Sequence, residues 1–130
     1  MRIKQVLLII LSVGATGLLR GCLVAAVGVG AAGTIAYVRG DLEAVESERL
    51  DVVYDAALKA LDTLDLNVTT TSKDALSAVI VARDAQDKKT TITLKAISEQ
   101  ATKLSIRVGV FGSEAKSRLI YEEIRENLPR

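Results

Sequence analysis

The sequence contains no histidine and no tryptophan, and only one cysteine, one phenylalanine, one proline and one methionine in 130 residues. Without histidine the chain lacks the side chain most used as a general base and the commonest metal ligand. A single cysteine excludes an intrachain disulfide framework and a cysteine-rich zinc site. Three tyrosines complete the aromatic content, too little for a surface that stacks nucleobases. A strong charge of one sign is also missing, since 17 basic residues stand against 16 acidic ones. Arg2, Lys4 and Arg20 precede Cys22, so the remainder holds 14 basic residues against 16 acidic, a net charge of −2. Such a chain is poorly equipped to neutralise phosphates, and nucleic acid is not expected as a partner. What is present in quantity is apolar residue, 49% of the chain, enough for the core of one domain.

The apolar content is unevenly placed. Arg2 and Lys4 form a short basic start, and Val6 to Leu19 is an uncharged, mostly apolar run of 14 residues. That length lies within the ~7–15 of a signal-peptide core and short of the ~20 needed to span a bilayer. Leu18-Leu19-Arg20-Gly21-Cys22 follows. This resembles the lipobox of bacterial lipoproteins, with Leu19 at −3, Gly21 at −1 and Cys22 as the residue that would be acylated. Arg20 departs from the pattern, which has a small uncharged residue at −2. The expected division is a signal peptide over 1–21, a lipidated Gly/Ala-rich tether over 22–38 and a compact domain over 39–130.

No charge occurs from Gly21 to Val38. Two readings fit this stretch: a tether along a membrane surface, or a transmembrane helix with small residues four apart, such as Ala26 and Gly30. The tether is preferred, because about half the stretch is Gly and Ala, which contribute little transfer energy, and Gly weakens a helix. Gly28-Val29-Gly30-Ala31-Ala32-Gly33 also matches the dinucleotide-binding pattern G-x-G-x-x-G. That site needs a helix directly after the glycines inside a βαβ unit. Arg39, Gly40 and Asp41 interrupt any such helix, so no nucleotide cofactor is expected.

From Arg39 the pattern becomes regular. Arg39–Glu46 reads as a strand, and Ser47 is placed to cap a following helix. Leu50, Val53, Tyr54, Ala57, Leu58, Leu61 and Leu64 form a stripe at helical spacing. Four strand signals come next, at 66–72, 77–83, 90–97 and 103–110, with short polar connections. In the second of these, Ala78, Ile80 and Ala82 are taken as the buried set, because the other parity would bury Arg83. Ser113 is placed to cap a last helix with Ile120, Tyr121, Ile124 and Leu128 on its apolar side. The expected fold is α+β, a two-layer sandwich in the order β-α-β-β-β-β-α, with a mostly antiparallel sheet and two helices on one face.

Several segments together resemble one family: Leu19-Arg20-Gly21-Cys22 and its Gly/Ala tract, Tyr37-Val38-Arg39-Gly40-Asp41-Leu42, the helix beginning Leu50-Asp51, Lys73-Asp74-Ala75-Leu76-Ser77, and Ser105-Ile106-Arg107-Val108-Gly109 through Arg118. They resemble the short bacterial lipoproteins grouped as domain-of-unknown-function family 3568. The resemblance implies a lipoprotein with a single domain and contributes no catalytic residue.

Possible chemistry is sparse. Glu122, Glu123 and Glu126 lie on one helix rather than facing each other across a cleft, as a glycosidase pair would. The threonines at 69–71, 90, 91 and 93 have no histidine to activate them and suit strand packing. Asn67-Val68-Thr69 matches a glycosylation sequon but falls within a strand signal. Val110-Phe111-Gly112-Ser113-Glu114 places the only phenylalanine at a helix start, where it is expected to plug the end of the core. No metal site, cofactor or catalytic residue is expected. The expected function is a non-catalytic interaction or structural module, attached to a membrane through Cys22, with an unidentified envelope protein as partner. Leu23 follows the cysteine, with no Asp there, and by resemblance to enterobacterial lipoprotein sorting this implies the outer membrane facing the periplasm. The alternatives are a carrier of a small apolar ligand and a protein held by an uncleaved N-terminal segment.

Overall fold

A computed structural model of the protein describes residues 35–130. Leu19, Arg20, Gly21 and Cys22, and all of the Gly/Ala-rich segment before Ile35, lie outside the described residues. The elements are β1 (Ile35–Val38), β2 (Asp41–Glu46), α1 (Leu50–Thr63), β3 (Asn67–Lys73), β4 (Ser77–Arg83), β5 (Lys89–Ser98), β6 (Ala101–Val108) and α2 (Glu114–Glu126). The six strands form one sheet in the order β1-β2-β6-β5-β4-β3. Every neighbouring pair is antiparallel. Both helices pack on one face, so the architecture is the α+β sandwich that the alternation implies.

Period-two patterning sets the register, because a slip of one residue would move every apolar side chain to the opposite face. Leu42, Ile106, Ile92 and Ile80 stand side by side across four strands, and all four are fully buried. Ala44, Leu104, Leu94 and Ala78 form the next buried row. In β4 the buried set is Ala78, Ile80 and Ala82, the parity that leaves Arg83 outside. Over these rows α1 places Val53, Ala57 and Leu61, and α2 places Ile120, Tyr121 and Ile124. Ala56 and Ala60 are as deeply buried as the large residues of α1, while Tyr54 and Leu58 lie at the edge of the core. The axis of burial is therefore rotated from the stripe of large residues, toward the side where only methyl groups occupy the contact.

Four local features differ from the sequence reading. Ile35–Val38, assigned there to the end of the 22–38 tether, is a strand paired with β2. Arg39 and Gly40, assigned to the first strand, are the turn of that hairpin, both at positive φ (53° and 89°). The αL backbone costs Gly little, and it ends the pairing at Val38↔Asp41. Ser47 is not a cap: the N-cap is Arg49, with no side-chain cap bond. Because β2 stays paired as far as Glu46↔Thr102, the chain uses Ser47–Arg49 to leave the sheet, and Thr102 Oγ1 pins this link by donating to Glu48 O at 2.8 Å. Phe111 does not plug the core; it is 92% exposed. Two glycines at positive φ, Gly109 and Gly112, bracket its loop, and backbone instead of the ring closes that end of the sheet.

Candidate functional site

Three places on the domain combine exposure with defined chemistry. The first is the loop that carries Phe111. At the end of β6, Arg107 spends its guanidinium on four contacts. Its Nε and Nη2 donate to the Asp41 carboxylate at 2.8 and 3.2 Å, Nη1 donates to Val110 O at 2.9 Å, and Nη2 also donates to Arg39 O at 2.7 Å. One side chain thus ties the β1–β2 turn to the loop after β6, and the Asp41 partnership raises the Arg107 pKa above its ordinary value. The approach is close: a Cβ on Gly112 would overlap Gly40, and one on Gly40 would come within 2.7 Å of Phe111 O. Held this way, Val110 and Phe111 are 83% and 92% exposed. A rigidly mounted pair of apolar side chains is a contact point for another surface.

The second place is the opposite end, where α2 meets β2. Tyr121 is buried and donates its hydroxyl to Glu46 Oε1 at 2.5 Å. Burial first, then the hydrogen bond to Glu46 and its charge, push the Tyr121 phenol far above the usual range. Arg125 lies over the same ring, 6.0 Å from its centroid. An open recess of about 700 Å³ adjoins these residues, lined also by Ile35, Ser47 and Pro129. Chemically, Glu46 is a buried carboxylate already committed to a neighbouring phenol, which is the arrangement of a structural lock between helix and sheet.

The third place is the sheet face that the helices leave open. The row Ala36–Glu43–Ser105–Thr93–Val79–Ser72 crosses all six strands. Its neighbours include Lys103, Lys95, Arg107 and Thr91. Small hydroxyl and valine side chains form the middle, and long basic side chains rise around it. Lys103 Nζ is 3.3 Å from Glu43 Oε2.

Of the residues singled out in the sequence, the lipobox set Leu19, Arg20, Gly21 and Cys22 lies outside the described residues. Glu122, Glu123 and Glu126 share α2, and Glu122 and Glu126 line the recess beside Tyr121 together with Glu46 and Glu48; Arg118 pairs with Glu114 at 2.9 Å. Lys73 closes β3 and sits 2.7 Å from Asp51 Oδ1 and 4.7 Å above the Tyr54 ring, stapling the edge strand to α1. Among the described residues no cluster of potential metal ligands occurs, and no helix is long and apolar enough to cross a membrane. Neither the Arg107 clamp nor the Glu46–Tyr121 contact is visible in local sequence, because they join residues 66 and 75 positions apart. The one available signal was Glu46 itself, a carboxylate whose parity places it on the buried side of β2.

The chain belongs to the family described as Protein of unknown function (DUF3568), whose model matches residues 4–127. That range takes in Leu19–Cys22 as well as the domain. No curated protein matches the chain.

Proposed function

We propose that this DUF3568 protein is an envelope lipoprotein: residues 1–21 act as the signal segment, Cys22 carries the lipid, and the domain is a non-catalytic interaction module. The observation that carries this reading is the arrangement Arg2 and Lys4, then the uncharged run Val6–Leu19, then Gly21 before the sole cysteine. Twelve residues separate Cys22 from Ile35, where the first strand begins. A leash of that length reaches at most about 45 Å when fully extended. Acyl chains at Cys22 contribute about 0.8 kcal/mol per buried CH₂, and two or more of them give firm attachment. By resemblance to enterobacterial sorting, Leu23 after the cysteine supports the outer membrane facing the periplasm. Within the domain, the exposed Val110–Phe111 tip is the surface offered to an envelope protein partner, and its mounting on Arg107 supports a role in contact rather than chemistry.

Expression of the wild type and Cys22→Ala in a bacterial host, followed by membrane fractionation and gel mobility, tests the reading. The wild type is expected in the membrane fraction with a lipid-dependent mobility, and the variant is expected to lose that mobility change. Identical mobility and partitioning of the two would overturn it.

A further inference from the structure

We propose that the open face of the sheet docks on anionic phospholipid headgroups, laying the domain flat on the bilayer that holds the chain. The inference rests on the membrane-anchored reading and adds which surface of the domain faces lipid.

Charge is divided between the two layers. α1 and α2 together carry seven carboxylates against four cations. The open face carries five cations against two carboxylates, Asp41 and Glu43. Both carboxylates are already engaged, by Arg107 and Lys103. Arg83 is 3.5 Å from Asp87, whereas Lys89 and Lys95 are exposed and without an ion-pair partner among the described residues. The domain is thus dipolar, with its positive side on the flat layer. Serine and threonine hydroxyls between the cations supply further donors for phosphate oxygens. Val38 stands on the same face and Ile97 at the end of β5, 48% and 59% exposed, as apolar contacts for the headgroup layer.

Charge complementarity selects this occupant over others. A second copy packed face to face would set two positive surfaces against each other. Packed head to tail against the acidic helices, copies would form an open chain rather than a closed dimer. Among the described residues the strands present no aromatic ring on this face for a nucleic acid to stack on. The described residues begin in β1, an edge strand of the sheet. An anchor also makes the docking intramolecular, so a weak affinity of the face suffices to orient the domain.

The test uses the full-length Cys22→Ala chain, which cannot be acylated at residue 22, cosedimented with phosphatidylcholine vesicles and with vesicles containing phosphatidylglycerol. Phosphatidylglycerol is expected to raise binding, and added salt to reverse the rise. The pair Lys89→Glu and Lys95→Glu is expected to reduce the rise roughly tenfold or more, from the contribution of each lysine near an anionic surface. The milder Lys89→Gln and Lys95→Gln pair is expected to fall between, and Lys59→Glu with Lys116→Glu on the helix layer to leave it intact. Binding indifferent to phosphatidylglycerol, or equally sensitive to the helix-layer pair, would overturn the inference. So would self-association that the Lys89 and Lys95 reversals dissolve. Because the chain tested has no acylated cysteine, failure here leaves the lipidation experiment above untouched.

Discussion

Arg107 and Asp41 meet in a two-pronged contact, Nε to Oδ1 at 2.8 Å and Nη2 to Oδ2 at 3.2 Å, and the rest of the guanidinium holds the carbonyls of Arg39 and Val110. Lysine keeps the charge but cannot reproduce a planar fork. Arg107→Lys is therefore expected to leave the core intact and loosen the tip. Amide exchange should quicken at Phe111, Gly112 and Gly40 while staying slow at Ile92 and Leu104. Uniform change across the sheet would show that the contact is not local.

Gly112 is expected to be intolerant of any side chain. Its φ is +82°, and an added Cβ would run into the Gly40 backbone and the Tyr37 hydroxyl. Gly112→Ala should cost about 1–3 kcal/mol through strain and displacement of the loop, measured by urea unfolding. A change within error of zero would mean the loop is free to move away from the β1–β2 turn.

Tyr121 links stability to high pH. Its phenol keeps a proton in the folded state at pH values where the unfolded chain has lost it, because burial and Glu46 raise its pKa. The unfolded state then binds fewer protons than the native one, so stability falls as pH rises. The contribution is complete below about pH 10, the ordinary tyrosine value, and declines above it. Tyr121→Phe should flatten this alkaline decline. At neutral pH it should cost about 1–3 kcal/mol, because the buried Glu46 oxygen loses its donor. Thermal melts of both proteins from pH 7 to the alkaline limit check both effects.

Ser117 is buried in α2, and its hydroxyl has no hydrogen-bond partner among the described residues. Removing an unsatisfied buried hydroxyl from a helix interior, and gaining the helix propensity of alanine, should stabilise the fold. Ser117→Ala is expected to raise stability by about 1 kcal/mol in chemical denaturation. A loss of stability would reveal a partner for the hydroxyl.

The parts of this fold legible in the sequence are those written in periodicity. Leu104, Ile106 and Val108 alternate with Lys103, Ser105 and Arg107, and the structure buries the first set. What was not legible depends on where chain segments end and what they meet. Ile35–Val38 continues an uncharged apolar run without a break in composition, so nothing local separates strand from tether. Phe111 looks like core by residue type, yet Gly109 and Gly112 turn its loop outward. Ser47 has the right chemistry for a cap, but pairing of Glu46 with Thr102 holds the chain in the sheet past the point where a cap would act. The basic open face was hidden by a whole-chain charge near zero, because opposite charges sort onto different layers only after folding.

If acyl chains at Cys22 hold this domain at a membrane, the intact mass of the protein extracted from the envelope of a bacterial host will show it. The expected mass is that of a chain beginning at Cys22 plus its lipid. A chain that begins at Met1 with an unmodified thiol would contradict it.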